Sequence, residues 1–171
     1  MEISMPSDKE DVKEENQSQV AASKAITILI DENNTLYYFK GKPDGGTDIP
    51  DEGKLFATTY GKNGLRKVLL ESNPQAVKAV QALKDKYARM VTSNVQQEQK
   101  QKAQFKEELN KIKNAEYTPS VIIKASDKAT YDNLIQVLDE MQICSIGRYV
   151  IDKFADGDRL KIEALKNGTA Q

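Results

Sequence analysis

Apolar positions are spaced unevenly along this chain, and their spacing predicts most of its elements. Ala25–Ile30 is a β-branched apolar run. Asp31–Asn34 supplies turn residues, and Thr35–Lys40 returns as a second run, so a β-hairpin is predicted. Gly41 to Gly53 is rich in Gly, Pro and Asp and reads as a loop. Leu55–Tyr60 predicts a short additional strand. Leu65, Val68 and Leu69 recur at helical spacing until Asn73-Pro74, which ends one helix and starts another. Ala76, Val80, Leu83, Tyr87 and Met90 then form a narrow stripe, read as a face packed in the domain's own core rather than a coiled-coil seam. The stripe fails in the polar run Gln96–Gln104 and resumes with Phe105, Leu109 and Ile112. One helix over 75–113 would measure about 58 Å. A domain of this size is about 30 Å across, so a protrusion or a bend near Gln96–Gln104 is expected.

The last third has the cleanest pattern. Val121–Ala125 predicts a strand bounded by Pro119, and Ser126 or Thr130 can cap the helix that follows. Tyr131, Leu134, Ile135, Leu138 and Met141 give that helix an apolar face, and Gly147 releases the chain into the strand Arg148–Phe154. A strand, a helix and a strand this close imply a parallel pair. Asp158–Leu165 predicts a short terminal helix. At the other end, residues 7–24 are polar and charged without apolar period and read as a flexible linker. They follow a stub in which Met1, Ile3 and Met5 alternate up to Pro6, too short to fold alone and suited to adding as a strand to a sheet edge. The expected fold class is α+β: a two-layer sandwich of a small mixed β-sheet with helices on one face, plus an enlarged helical insertion. The expected division is a stub and linker over 1–24, one domain over 25–165 with its insertion at about 41–114, and a loose end over 166–171.

Composition narrows the chemistry mainly through what is missing. The chain of 171 residues has no histidine, removing the commonest general base and metal ligand. Its single cysteine, Cys144, lies among Ile143, Ser145 and Ile146 and reads as a buried small hydrophobe. With 25 basic and 26 acidic residues the formal charge is −1, which gives no electrostatic reason to expect nucleic acid. No run approaches the ~20 apolar residues of a membrane helix, and Met1–Pro6 lacks the features of a signal peptide.

Four polar groupings are the candidate sites. Asp44, Asp48, Asp51 and Glu52 lie among glycines, but their spacing does not match a calcium loop. Gly61–Gly64 precedes a helix without phosphate-loop spacing. Asp139 and Glu140 are adjacent on a helix and do not face each other. Asp152, Asp156 and Asp158 read as ordinary caps. The expectation is a non-catalytic interaction module with no catalytic residue, no cofactor and no metal.

Taken in order, these pieces resemble the periplasmic domain of the ExbD/TolR family. The resemblance rests on Val121–Ala125, on Tyr131 opening a helix with Val137-Leu138-Asp139, and on Gln142-Ile143 leading through Ile146-Gly147 into Tyr149-Val150-Ile151. Ile26-Thr27-Ile28 with Leu36-Tyr37 matches the family's earlier strands, and Ile3-Ser4-Met5-Pro6 is similar to the segment that leaves its membrane helix. The stretch from Gly41 to Asn114 is larger than the compact family form and is similar to Bacteroidetes-type ExbD. The family's membrane helix, with its proton-coupling aspartate, is absent from this piece. The resemblance implies an inner-membrane component of a TonB–ExbB–ExbD energy-transducing complex of a Gram-negative bacterium, with this domain in the periplasm. Expected partners are TonB-like and ExbB-like proteins and a second copy of the chain, met by strand addition. Ile3, Met5 and Pro6, and Tyr149, Val150 and Ile151, are the candidate partner-binding residues. A TolR-like component of the Tol–Pal system is the nearest alternative. A cytosolic adaptor with the helix 74–114 as its docking arm is the alternative from another class.

Overall fold

The computed structural model describes residues 24–42, 51–91 and 93–168. Five strands form one mixed sheet: β1 Ala25–Ile30, β2 Leu36–Lys40, β3 Phe56–Thr58, β4 Ser120–Ala125 and β5 Tyr149–Lys153. Their order is β3-β2-β1-β4-β5. β1 pairs antiparallel with β2 and parallel with β4, and β4 pairs parallel with β5. The predicted hairpin and parallel pair are both present. In the hairpin Asn33 and Asn34 take φ of 58° and 59°, and the Thr35 amide donates to the Glu32 carbonyl at 3.1 Å. Two consecutive positive φ values match the right-handed twist of paired strands, and Asn tolerates them better than most residues.

Central placement of β1 follows from its sequence. An almost unbroken apolar run suits a strand covered on both faces, and five of its six residues are buried. Ile26, Ile28 and Ile30 point to one face with Val121 and Ile123 of β4. On that face lie α1 (Leu65–Glu71) and α4 (Tyr131–Ile143), which contribute Leu65, Leu69, Val137 and Met141. Leu29 points to the other face, where Tyr37, Phe39 and Leu55 meet Ile162 of α5 (Asp156–Lys166). The α+β class and mixed sheet are as expected, and the terminal helix adds a cover on the face opposite α1 and α4.

Two local expectations shift. The chain does bend within the long helical stretch, but earlier than Gln96–Gln104. α2 (Pro74–Ala88) ends before that run, and α3 (Val95–Lys113) contains it. Asn94 decides the new start: its side chain accepts the Gln97 amide at 2.8 Å, satisfying a helix-end donor. The helices form a hairpin. Tyr87 stands edge-on to Phe105 with centroids 5.3 Å apart, and its hydroxyl donates to Glu108 at 2.7 Å. On α4, the deepest apolar side chains are Val137 and Met141, while Leu134 and Leu138 are half-buried and Tyr131 is exposed. Thr130 is the cap, in a reciprocal pair with Asn133 at 3.1 Å each way. Asn133 also donates to Asn34 of the β1–β2 turn at 2.8 Å, which draws its own face of the helix inward.

Candidate partner-binding edge

Among the described residues β5 stands at the end of the sheet, with β4 on one side and no strand on the other. Which backbone groups point outward follows from register. Val121 is opposite Tyr149, and the Val121 amide donates to the Arg148 carbonyl at 2.9 Å. In a parallel pair, alternate residues of a strand bond to the same neighbour. Arg148, Val150 and Asp152 therefore face β4, and the amides and carbonyls of Tyr149, Ile151 and Lys153 face out. The Lys153 amide is already taken by the Asp152 carboxylate, Oδ1 accepting at 2.7 Å. Tyr149 and Ile151 keep a ladder that an incoming strand can complete. An unpaired edge of this kind is a template for another chain.

Side chains divide the same strand between the two faces. Tyr149 and Ile151 pack against the core beneath α4, and Val150 stands on the other face, 49% exposed. The entry to β5 is fixed from several directions. Ser145 has φ of 59°, and the Ile146 amide donates to the Met141 carbonyl at 2.9 Å. The Gly147 amide donates to the Lys113 carbonyl at 2.9 Å, tying β5 to the end of α3. A Cβ at Gly147 would lie 3.0 Å from the Lys113 Cβ and from the Asn114 side chain, so the close approach favours glycine.

The strand's exit is held by charge. Asp31, fully buried at the end of β1, receives two bonds from the Arg159 guanidinium of α5, at 2.8 and 3.0 Å, and one from the Ser126 hydroxyl at 2.7 Å. Burial pushes the Asp31 carboxyl up, but the hydrogen bonds from Arg159, Ser126 and the Glu32 backbone outweigh it and hold the pKa at about 2. Lys124 meets Asp158 at 3.2 Å, and Asp158 also accepts the Ala155 amide at 2.8 Å as a cap. On the opposite face Arg66 grips Glu140 with two bonds of 3.0 Å. Glu140, adjacent to Asp139 in sequence, is thus occupied by an ion pair. Pattern reading named none of these pairs.

The remaining chemistry is quiet. Burial, with Glu140 nearby, pushes the Cys144 thiol up to about 12, so it is protonated at neutral pH. Glu52 accepts the Lys42 amide at 2.8 Å and closes its loop. Asp44 and Asp48 lie outside the described residues, as do Ile3, Met5 and Pro6. Among the described residues no group of three or more His, Cys, Asp or Glu side chains is placed to hold a metal. Among them, too, no helix is long and apolar enough to cross a membrane.

The family model for the biopolymer transport protein ExbD/TolR matches residues 1–155. The chain belongs to the ExbD/TolR family. No curated protein and no solved structure matches it. An ExbD/TolR chain is a transport-associated component of a multi-protein energy-transducing assembly. The matched span runs through all five strands and stops at Ala155, the residue before α5. All five strands therefore lie within the match, and the helix that covers the second face lies beyond it.

Proposed function

We propose that this chain is the periplasmic interaction domain of an ExbD-like component of a TonB–ExbB–ExbD complex, which couples the proton motive force to outer-membrane transport. The observation that carries the reading is the β5 edge, where among the described residues no strand meets the outward backbone groups of Tyr149 and Ile151. Strand addition there gives affinity through main-chain bonds, while Val150 and the flanking side chains give selectivity. The partner strand comes from a TonB-like protein or from a second copy of the chain. The stub around Ile3, Met5 and Pro6 offers the same apolar alternation for an edge. The parent protein is held in the inner membrane by its family's N-terminal helix, beside an ExbB-like partner. The size of the α2–α3 hairpin supports the Bacteroidetes-type form.

Ile151→Pro tests the edge, with the loss of one half-buried side chain against the core as its collateral effect. It removes an outward amide and leaves the inward bonds of Val150 and Asp152 to β4. The expected result is loss of binding to a TonB-like periplasmic segment by Ile151→Pro, with the fold retained by circular dichroism. Unchanged affinity in a folded Ile151→Pro variant would remove the edge from the mechanism. Selective binding of a Tol–Pal component by the unaltered chain would transfer the reading to the TolR branch.

A further inference from the structure

The α2–α3 hairpin ends in a tip that contributes nothing to the core. Every described residue from Ala88 to Lys100 is exposed. The last aromatic contact between the two helices is Tyr87 against Phe105. Val95 lies ten residues before Phe105, so the helix runs about 15 Å beyond that contact. The tip carries the polar residues Ser93, Asn94 and Gln96–Lys100, with three apolar residues among them. Met90, Val91 and Val95 sit on it, with Val91 91% and Val95 67% exposed. Exposed apolar side chains grouped at a projecting end mark an interaction surface.

Charge indicates what the surface meets. Residues 84–108 carry Lys84, Lys86, Arg89, Lys100, Lys102 and Lys106 against four acids, Asp85, Glu98, Glu107 and Glu108, in a chain whose formal charge is −1. Arg89 adjoins Met90 directly. Lys102 and Lys106 follow Val95 by seven and eleven residues, which places them on the same side of α3. Two of these cations have local partners: Lys86 pairs with Glu108 at 3.2 Å and Lys102 with Glu98 at 3.4 Å. Both pairs are solvent-exposed, and exposed pairs are weak enough to exchange for another anion. Apolar side chains at the very end with cations behind them fit an anionic bilayer surface. The apolar groups enter the headgroup boundary, and the cations meet lipid phosphates. An acidic protein would meet the cations without explaining why the foremost residues are Met and Val.

We propose that the α2–α3 tip is a peripheral membrane-contact site, with Met90, Val91 and Val95 entering an anionic lipid surface and Arg89, Lys100, Lys102 and Lys106 meeting its headgroups. This site is separate from the β5 edge. It would hold the domain against a bilayer at one point while the edge remains open to a partner strand.

The test is sedimentation of the full chain with vesicles of phosphatidylglycerol and, separately, of phosphatidylcholine. The expected result is co-sedimentation with phosphatidylglycerol vesicles, at least tenfold weaker with phosphatidylcholine and weakened by added salt. Val91→Asp together with Val95→Asp should abolish it, and because both positions are exposed the fold should be unchanged by circular dichroism. Lys62→Glu, on a loop outside the hairpin, should leave it intact. Equal sedimentation with both lipids, or undiminished sedimentation of the double Asp variant, would overturn the proposal. So would absence of vesicle binding alongside hairpin-dependent binding to an acidic protein. Ile151→Pro should bind vesicles as the unaltered chain does, which separates failure of this site from failure of the edge.

Discussion

The two faces of the sheet are built by different means. Beneath α1 and α4 the contact is aliphatic, with Ile28, Ile30, Leu65, Leu69, Ile123 and Met141 at or near zero exposure. Beneath α5 the sheet offers Tyr37 and Phe39, and the only fully buried apolar side chain from the helix is Ile162. Charged groups supply the rest of that attachment. Arg159 reaches Asp31, Asp158 reaches Lys124, and Lys161 donates to the Gly53 carbonyl at 2.9 Å. Hydrophobic burial is non-directional and insensitive to pH, whereas ion pairs fix orientation and depend on protonation. The first face should therefore set the stability of the domain, and the second should set how firmly the terminal helix sits.

Truncation of the first face should have the largest effect. Ile123→Ala removes a fully buried side chain at the centre of the sheet, and should cost about 2–5 kcal/mol by denaturant melt. A cost below about 1 kcal/mol would mean that this face does not dominate stability.

Acid should act on the second face. The Asp31 carboxyl has its folded pKa lowered from 3.8 to about 2. The stabilisation is fully present above the unfolded pKa and is lost as the pH falls through the folded value. Its size is about 2 kcal/mol by linkage. Melts of the unaltered chain between pH 5 and pH 2 should lose roughly that amount more than melts of Asp31→Asn. Identical acid sensitivity in both proteins would remove Asp31 as the lock on α5.

The smallest contrast tests the orientation of α4. Val137 is fully buried and Leu138 is half-buried against the same core. Although valine is the smaller residue, Val137→Ala should be at least as costly as Leu138→Ala, with a difference of about 1 kcal/mol or less. A clearly larger loss at Leu138 would mean that the helix is turned about its axis.

These differences also explain what the sequence revealed. β1, β2, β4, α4 and β5 were readable because β-branched runs, turn residues and a Thr cap agree with one another locally. The break between α2 and α3 falls before the polar run Gln96–Gln104 because the cap bond of Asn94 starts α3, and the polarity of that run does not mark a helix end. On α4, the spacing of Tyr131, Leu134 and Leu138 outweighed Val137, and the inward pull of the Asn133–Asn34 bond is a tertiary fact. Placing α5 on the second face required Arg159 to find Asp31 across 128 positions and Lys161 to find Gly53 across 108. Nothing local in Asp158-Arg159-Leu160-Lys161 announces such partners. At the edge, the residues Tyr149–Ile151 were named from sequence, while the outward direction of Tyr149 and Ile151 needed the register.

The central claim is that β5 is the edge a partner strand completes, and amide hydrogen exchange addresses it residue by residue. In the free chain, the amides of Tyr149 and Ile151 should exchange quickly, while that of Val150, bonded to β4, should be slow. Adding a saturating TonB-like periplasmic segment should slow Tyr149 and Ile151 selectively. Rapid exchange at both positions in the bound state, with protection gained elsewhere on the domain, would contradict the account.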